Sequence, residues 1–357
     1  MEPTALQIAW FGIVGLLWIG YLVLEGFDFG VGMLLPFLGR EEADRRTMIN
    51  AIGPVWDGNQ VWLISAGGMM FAAFPVWYAS LLSVLYLPVV LILLSLIVRG
   101  VAFEFRGKTS PTAWRRGWDW VITIGSLLTV VLWGAAFGNL VMGIDARALF
   151  TDLVITNGQV DLAASTLVAS PSLSVLLSAL NPYALLTGLT LVGLFAVHGA
   201  LFLALRTTGP LHEASMDLAR KLAPVLIPVG AAWAIWTQIA RGPVWGWALV
   251  AIAAVALIGL VPVTRAGRDG LAFALTSAVT AGAVVLIFAS VFPNVLPIRL
   301  DGVDISAAFN TTIAAGSSSA PTLTVMLVVA AIAIPAVIGY QSMVYRKFSR
   351  RLSSAAA

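Results

Sequence analysis

The chain has 357 residues, of which 60% are hydrophobic and only 10% are charged, and its formal net charge is +3. Ordinary soluble domains contain about 25% charged residues, so this composition excludes a water-soluble enzyme. A mean hydropathy of +0.96 indicates that much of the surface faces lipid or other buried protein. The chain has no cysteine, which excludes disulfides, thiolate-bound iron–sulfur clusters and thiolate zinc sites. Its basic residues fall between apolar stretches, which argues against a nucleic-acid partner.

The apolar stretches predict membrane-spanning helices. A bilayer core requires about 20 apolar helical residues, and nine stretches meet that length. In chain order they are roughly 6–38, 50–73, 80–105, 119–142, 183–205, 218–240, 244–263, 270–291 and 322–345. None shows the alternation of polar and apolar residues that is typical of a membrane barrel.

The basic residues predict how these spans are oriented. If the N-terminus lies outside, 17 of the 20 Lys and Arg residues are cytoplasmic and only Arg147, Arg241 and Arg299 are external. The positive-inside rule therefore favours an N-out, C-in topology.

The lengths of the connecting loops divide the chain. We predict a first four-helix bundle over 1–143, an outer loop over 144–181 and a second four-helix bundle over 182–292. A second outer loop over 293–321 and a peripheral helix with a cytoplasmic tail over 322–357 complete the chain. The predicted fold class is thus an all-α polytopic membrane protein with two four-helix bundles and one peripheral helix.

Ionisable residues inside the spans are the candidates for function, because an unpaired charge in the membrane costs several kcal/mol. Asp57 lies in the second predicted span with Asn59 and Gln60 beside it, and we expect it roughly 10 Å beyond a helix start near Asn50. Such a carboxylate suits a proton relay, and the alternative is a hydrogen bond that holds two helices together.

Glu25 and Asp28 lie three residues apart and so share one face of the first helix. Two close carboxylates disfavour simultaneous ionisation, which suits proton sharing or cation binding. The glycines around them also suit close packing against another helix, and both interpretations remain open.

The third span ends with Arg99 and Glu104. Arg99 can pair with a carboxylate of another helix, and Glu104 is placed to collect protons at the cytoplasmic mouth. His198 is a candidate axial haem ligand, although a lone intramembrane histidine is more often hydrogen-bonded between helices.

Several motifs resemble subunit II of the cytochrome bd-type quinol oxidases. They are GFDFGVGML at 26–34, RRTMIN at 45–50, PVWDGNQVWL at 54–63, AGG at 66–68, FEFR at 103–106, WDW at 118–120 and AFGNL at 136–140. Nearly all of the resemblance lies in the first 140 residues. It implies a subunit of a terminal respiratory oxidase in the bacterial plasma membrane that couples quinol oxidation to reduction of O₂ to water and generates proton motive force.

The resemblance also implies partners and residue roles. Haem b and haem d are expected in a similarly folded partner, subunit I, and this chain is expected to ligate none. Asp57 matches the proton-pathway aspartate of the family, and Glu104 stands where a second acidic pathway residue, usually Asp, is expected. Trp62 matches a tryptophan near an oxygen route, and Glu25 and Asp28 match acidic positions of the first helix. Small accessory subunits, lipid and a structural quinone are further candidate partners.

A rival function from another class is an ion-coupled secondary transporter that uses Glu25, Asp28 and Asp57. It predicts a sequence repeat between the two halves of the chain, and none is recognisable. A purely structural scaffold is a third alternative.

Overall fold

The computed structural model describes residues 2–145, 150–152, 154–156, 159–160, 166–167, 176–177, 179–300, 303–305, 309 and 311–353. Within these ranges the helices are α1 Ala5–Leu38, α2 Glu42–Ile52, α3 Trp56–Ala73, α4 Pro75–Val84, α5 Tyr86–Phe105, α6 Thr112–Met142, α7 Pro182–Arg206, α8 Pro210–Arg241, α9 Gly246–Arg265, α10 Asp269–Val291, α11 Ile313–Gly316 and α12 Ala320–Lys347.

Eight of the described helices are each long and apolar enough to cross a membrane, and α3 with α4 forms a ninth, bent segment. The two helices of this pair meet at an angle of 118°. The prediction of nine spans is therefore confirmed if the bent pair counts as one. The predicted start of the third span at 80 is wrong, because the chain leaves helical geometry at Leu85 and α5 begins only at Tyr86.

The second span also begins later than predicted. A separate helix, α2, ends at Ile52, and α3 starts at Trp56. Pro54 explains the break, because proline lacks an N–H and disfavours helical geometry in the residue before it. The break thereby separates the charged start of α2 from the apolar span that begins at Trp56.

The helices pack as two groups around α1 and α7. In the first group, α1 contacts α3 and α6, and α5 packs on α6. In the second group, α7 contacts α8 and α10, and α9 packs between α8 and α10. Contacts of α7 with α1 and α6 join the groups. Helix α12 lies at the periphery, because Leu323 and Ala330 are the only buried residues in its described range. This arrangement matches the predicted fold class of two four-helix bundles plus one peripheral helix.

Glycine allows the two bundles to approach closely. A Cβ atom on Gly30 of α1 would lie 1.9 Å from the Phe195 carbonyl oxygen, and one on Gly199 of α7 would lie 2.5 Å from the Gly30 carbonyl carbon. Such contacts are impossible for any larger residue, so the backbones of α1 and α7 cross directly. The small residues of the 26–34 motif therefore serve helix packing, as one of the two interpretations expects.

Short strands lie in and beside the two outer loops, and one pair of them joins the loops. They are β1 Ile144–Asp145, β2 Phe150–Asp152, β3 Ile155–Thr156, β4 Gln159–Val160, β5 Thr166–Leu167, β6 Ile298–Leu300 and β7 Val303–Asp304. Strand β6 pairs in parallel with β1 and antiparallel with β7, while β2–β5 and β3–β4 are antiparallel pairs. The β1–β6 pairing joins the end of the first bundle to the loop that follows the second.

Candidate functional site

A buried ion pair lies between α1 and α5. Arg99 Nη1 is 2.5 Å from Glu25 Oε1, and both side chains are 0% exposed. The Arg99 guanidinium also lies over the rings of Phe29 and Phe103, at 4.8 and 5.0 Å from their centroids. A charge in this environment is tolerable only because it is paired, and the aromatic faces add to the attraction.

Asp28 is held by a side-chain amide of α3. Asn59 of α3 donates from Nδ2 to Asp28 Oδ2 at 2.7 Å and to the Leu24 carbonyl oxygen at 3.3 Å. Its Oδ1 accepts bonds from Gln341 Nε2 at 2.8 Å and from the Tyr345 hydroxyl at 2.7 Å. Asn59 thus connects α1 to the peripheral helix α12.

We call Glu25, Asp28, Asn59, Arg99, Gln341 and Tyr345 the buried acidic cluster. Its described atoms leave several hydrogen-bonding groups without partners: Glu25 Oε2, Asp28 Oδ1, Arg99 Nε and Arg99 Nη2. The Gln60 side chain faces Glu25, and its Nε2 is likewise buried without a partner. An unmet buried polar group costs about 1–3 kcal/mol, and a water molecule within hydrogen-bonding distance would satisfy these atoms.

The sequence analysis predicts Asp57 inside its span beside Asn59 and Gln60, and Glu104 at the mouth of the third span. The structure leaves both acids outside the buried acidic cluster. Because α3 begins at Trp56, Asp57 lies in its first turn and not 10 Å beyond a helix start, and its side chain is exposed. Glu104 is also exposed, one residue before the end of α5. Both acids lie at the same end of the bundle, where α3 starts and α5 ends.

Trp62 contacts the cluster through Gln341. Its Nε1 donates to Gln341 Oε1 at 2.5 Å, and its ring lies on Gly20, where a Cβ would come within 2.1 Å of the indole. Beside the ring is a cavity of about 90 Å³ between α1, α3 and α12, lined mainly by apolar side chains that include Leu17 and Ile334.

Sequence reasoning missed Gln341 and Tyr345. Both lie in the last predicted span, and Gln341 is a polar side chain within an otherwise apolar segment, which is the signal that could have found it. No local pattern shows that they meet Asn59, which is 282 residues from Gln341 in the sequence.

A second group of charges lies at the same end of the bundle as Asp57 and Glu104. Arg106, which follows α5, bonds Asp119 of α6 at 2.5 Å and Glu42 of α2 at 2.9 Å. Burial acts to lower the pKa of Arg106, but the bonds to Asp119 and Glu42 outweigh it and the pKa lies above the ordinary value. Arg106 therefore stays charged and ties α2 to α5 and α6.

The geometry of His198 does not fit an axial haem ligand. Its Nε2 lies 3.0 Å from the Val23 carbonyl oxygen and must carry the hydrogen, while Nδ1 lies 2.7 Å from Thr276 Oγ1. Both ring nitrogens are thus used between helices, as the alternative interpretation of this residue predicts. Within the described ranges no three or more His, Asp or Glu side chains are grouped so as to hold a metal ion.

These features define a multi-spanning helical membrane protein with a buried acidic cluster near one end of its first bundle. The model of the family "Cytochrome bd terminal oxidase subunit II" matches residues 6–348, and the chain belongs to that family. The family assignment makes it a multi-pass protein of the bacterial plasma membrane, part of an oxidoreductase complex of the respiratory chain. It also implies haem cofactors and a subunit I partner in that complex.

Individual relatives agree over nearly the whole length. The chain is 38% identical to cytochrome bd ubiquinol oxidase subunit 2 of Bacillus subtilis strain 168, with 98% of each chain covered. It is 33% identical to cytochrome bd-I ubiquinol oxidase subunit 2 of Escherichia coli K12, covering 99% of this chain and 97% of the relative. The solved structure of bd oxidase from Geobacillus thermodenitrificans matches with a TM-score of 0.75 at 17% identity, covering 97% of this chain and 99% of that one, which supports the fold.

Proposed function

We propose that this chain stabilises the haem-bearing subunit I and supplies a cytoplasmic proton path for O₂ reduction by quinol. Haem b and haem d, bound by subunit I, would supply the electron transfer and oxygen chemistry, while this chain ligates no haem. The observation that supports a proton path is the buried acidic cluster, in which Glu25 pairs with Arg99 and the neighbouring buried carboxylate of Asp28 bonds the amide of Asn59.

The free carboxylate oxygens would hold the transferred proton. Glu25 and Asp28 are one helical turn apart, about 4.5 Å along the axis of α1. Oxygen Oε1 of Glu25 is fixed by Arg99 and Oδ2 of Asp28 by Asn59, which leaves Oε2 and Oδ1 unpartnered. A proton, or a water molecule that relays one, can move between these two oxygens while the fixed oxygens hold both side chains in place.

Asp57 and Glu104 would deliver protons to this pair from the bundle surface. Asp57 precedes Asn59 by two residues on α3, about half a helical turn, and Glu104 follows Arg99 by five residues on α5, about one and a half turns. Their exposure in the single chain is consistent with contact to cytoplasmic water or to subunit I. The basic loops predict that this end of the bundle is cytoplasmic.

We also propose an oxygen path past Trp62. O₂ is small and apolar, and the cavity of about 90 Å³ beside the indole offers an apolar space within the membrane. The Trp62 side chain lines this cavity and bonds Gln341 of the acidic cluster, so the indole lies between the apolar route and the cluster. A structural quinone and small accessory subunits remain candidates, and no described residue requires either.

The test replaces single carboxylates in the assembled complex by their amides: Glu25→Gln, Asp28→Asn and Asp57→Asn. Each keeps the shape of the side chain and removes its titration. We expect quinol oxidase turnover to fall by about a hundredfold, which is the smallest rate effect typical of losing a positioned proton-transfer group. The haem content of the complex should be unchanged. Glu213→Gln is the matched control, since Glu213 is exposed in the first turn of α8, and it should leave turnover unchanged.

Normal turnover at normal haem content in all three variants would refute the proton path and favour the scaffold role. Loss of haem in every variant would show instead that the carboxylates serve assembly. The transporter alternative finds no support in the comparisons, and it would require substrate uptake by vesicles that contain this chain alone.

A further inference from the structure

A second cavity lies beside the buried acidic cluster, on the side of the second bundle. It has a volume of about 390 Å³ and is enclosed by α1, the end of α2, α7, α10 and the segment after α12. Its wall is largely apolar and rich in aromatic rings: Phe27, Phe202, Phe273, Tyr345 and Phe348. The proton path and the oxygen path described above do not use this cavity.

One cationic group lines the cavity. Arg206, the last residue of α7, contributes to the wall, and its Nη1 is buried without a hydrogen-bond partner. Within the described part of the chain no carboxylate forms an ion pair with it, and the nearby acid Asp269 is bonded to Arg351 at 2.7 Å. A partly buried guanidinium with an unmet N–H is costly, and an anion would satisfy it.

The C-terminal segment closes the cavity at the end marked by the basic loops. Phe348 and Ser349 form part of the wall, and the Leu352 amide donates to the Arg206 carbonyl oxygen at 2.7 Å. The Leu352 carbonyl in turn accepts from the Thr208 amide at 2.9 Å. Up to Ser353 the segment therefore fixes the backbone that presents Arg206 and contributes no carboxylate to its side chain.

We propose that this cavity binds one anionic phospholipid, with its phosphate on Arg206 and an acyl chain against the aromatic wall. A guanidinium matches phosphate geometry through paired N–H donors, and basic pockets between membrane helices at the cytoplasmic side select anionic headgroups. A free phosphate would gain nothing from the apolar wall, and a zwitterionic lipid would bring an ammonium group that offsets the charge of its phosphate beside the arginine. The combination of one cation with an apolar wall favours an anionic amphiphile.

The test uses the intact oxidase complex, stripped of lipid in detergent and mixed with micelles that contain phosphatidylglycerol or phosphatidylcholine. Native mass spectrometry counts the lipid retained on the complex. We expect one phosphatidylglycerol to be retained with an affinity about tenfold above that of phosphatidylcholine, because the choline ammonium offsets the charge of the phosphate and weakens its charge-assisted contact with Arg206. Arg206→Gln should abolish this preference, and Arg206→Lys should keep most of it.

Two further variants make the result specific. Arg265→Gln is the matched control: Arg265 is also the last residue of its helix, α9, but it is exposed and does not line the cavity, so the preference should persist. Ala51→Phe fills the cavity from α2 and should reduce retention of the lipid while Arg206 is intact. Equal retention of both lipids by the unmodified complex, an unchanged preference in Arg206→Gln, or an equal loss in Arg265→Gln would overturn the proposal.

Discussion

The buried ion pair of Arg99 and Glu25 provides the sharpest test of what holds the first bundle together. Replacing Arg99 by Met keeps a long apolar stem but leaves the Glu25 carboxylate buried and unpaired. Breaking a buried pair in this way costs about 3–5 kcal/mol. The lost cation–π contacts with Phe29 and Phe103 add about 0.5–2 kcal/mol each.

The double variant Arg99→Met/Glu25→Gln separates these contributions. It removes both charges, so the cost of the stranded carboxylate disappears and only the smaller loss at the two rings remains. We therefore expect the double variant to be more stable than Arg99→Met by about 2–4 kcal/mol, most of the cost of a broken buried pair.

The assay is heat denaturation of the purified complex at one fixed heating rate, followed by loss of haem absorbance. Arg99→Met should lower the midpoint by several degrees, and the double variant should recover most of the shift. Glu25→Gln alone leaves Arg99 unpaired and should also be destabilised. If Arg99→Met is as stable as the unmodified complex, or if the double variant is no better than Arg99→Met, the burial and pairing described here do not govern stability.

Two further predictions concern packing and surface charge. Gly30→Ala should prevent the close crossing of α1 and α7 and reduce the yield of haem-loaded complex. Gly12→Ala is the control and should be neutral, because a Cβ added there meets nothing within 4 Å. Equal yields of the two variants would contradict the proposed crossing. Arg106→Gln should cost about 1.5–3 kcal/mol because Asp119 loses a charged partner. Arg115→Gln should cost under about 1 kcal/mol, because its pair with Glu42 is partly exposed to solvent, which weakens the attraction. Thermal midpoints measured at low and high salt check this order, and a larger loss in Arg115→Gln would refute it.

Local sequence features predicted the ends of several helices well. The first span was expected at 6–38 and α1 is Ala5–Leu38, because an uninterrupted apolar run determines where one helix can cross a bilayer. The same reasoning failed at the second span, where 50–73 includes the Gly53–Pro54 break that separates α2 from α3. Hydropathy averages over such a break, whereas the missing N–H of proline acts on single residues.

The sequence predicted which residues form the candidate site better than it predicted where they lie. Glu25, Asp28, Arg99 and Asn59 do meet, as an unpaired intramembrane charge demands a partner. Asp57, expected roughly 10 Å beyond a helix start, lies in the first turn of α3 and is exposed. Its proposed role therefore depends on water or subunit I at that surface, and not on burial within this chain.

The sequence by itself determined the environment of the protein and its family. An apolar content of 60%, nine long apolar stretches and the motifs near Asp28 and Asp57 are properties of residues close together in the chain, so they can be read without a fold. Only the tertiary structure decided which polar groups are partners. Arg99 meets Glu25 across 74 residues, Tyr345 meets Asn59 across 286, and the cavity at Arg206 forms only when α7 and the C-terminal segment are brought together. Pairing inside a membrane depends on which helix faces are turned toward each other, and that is settled by packing.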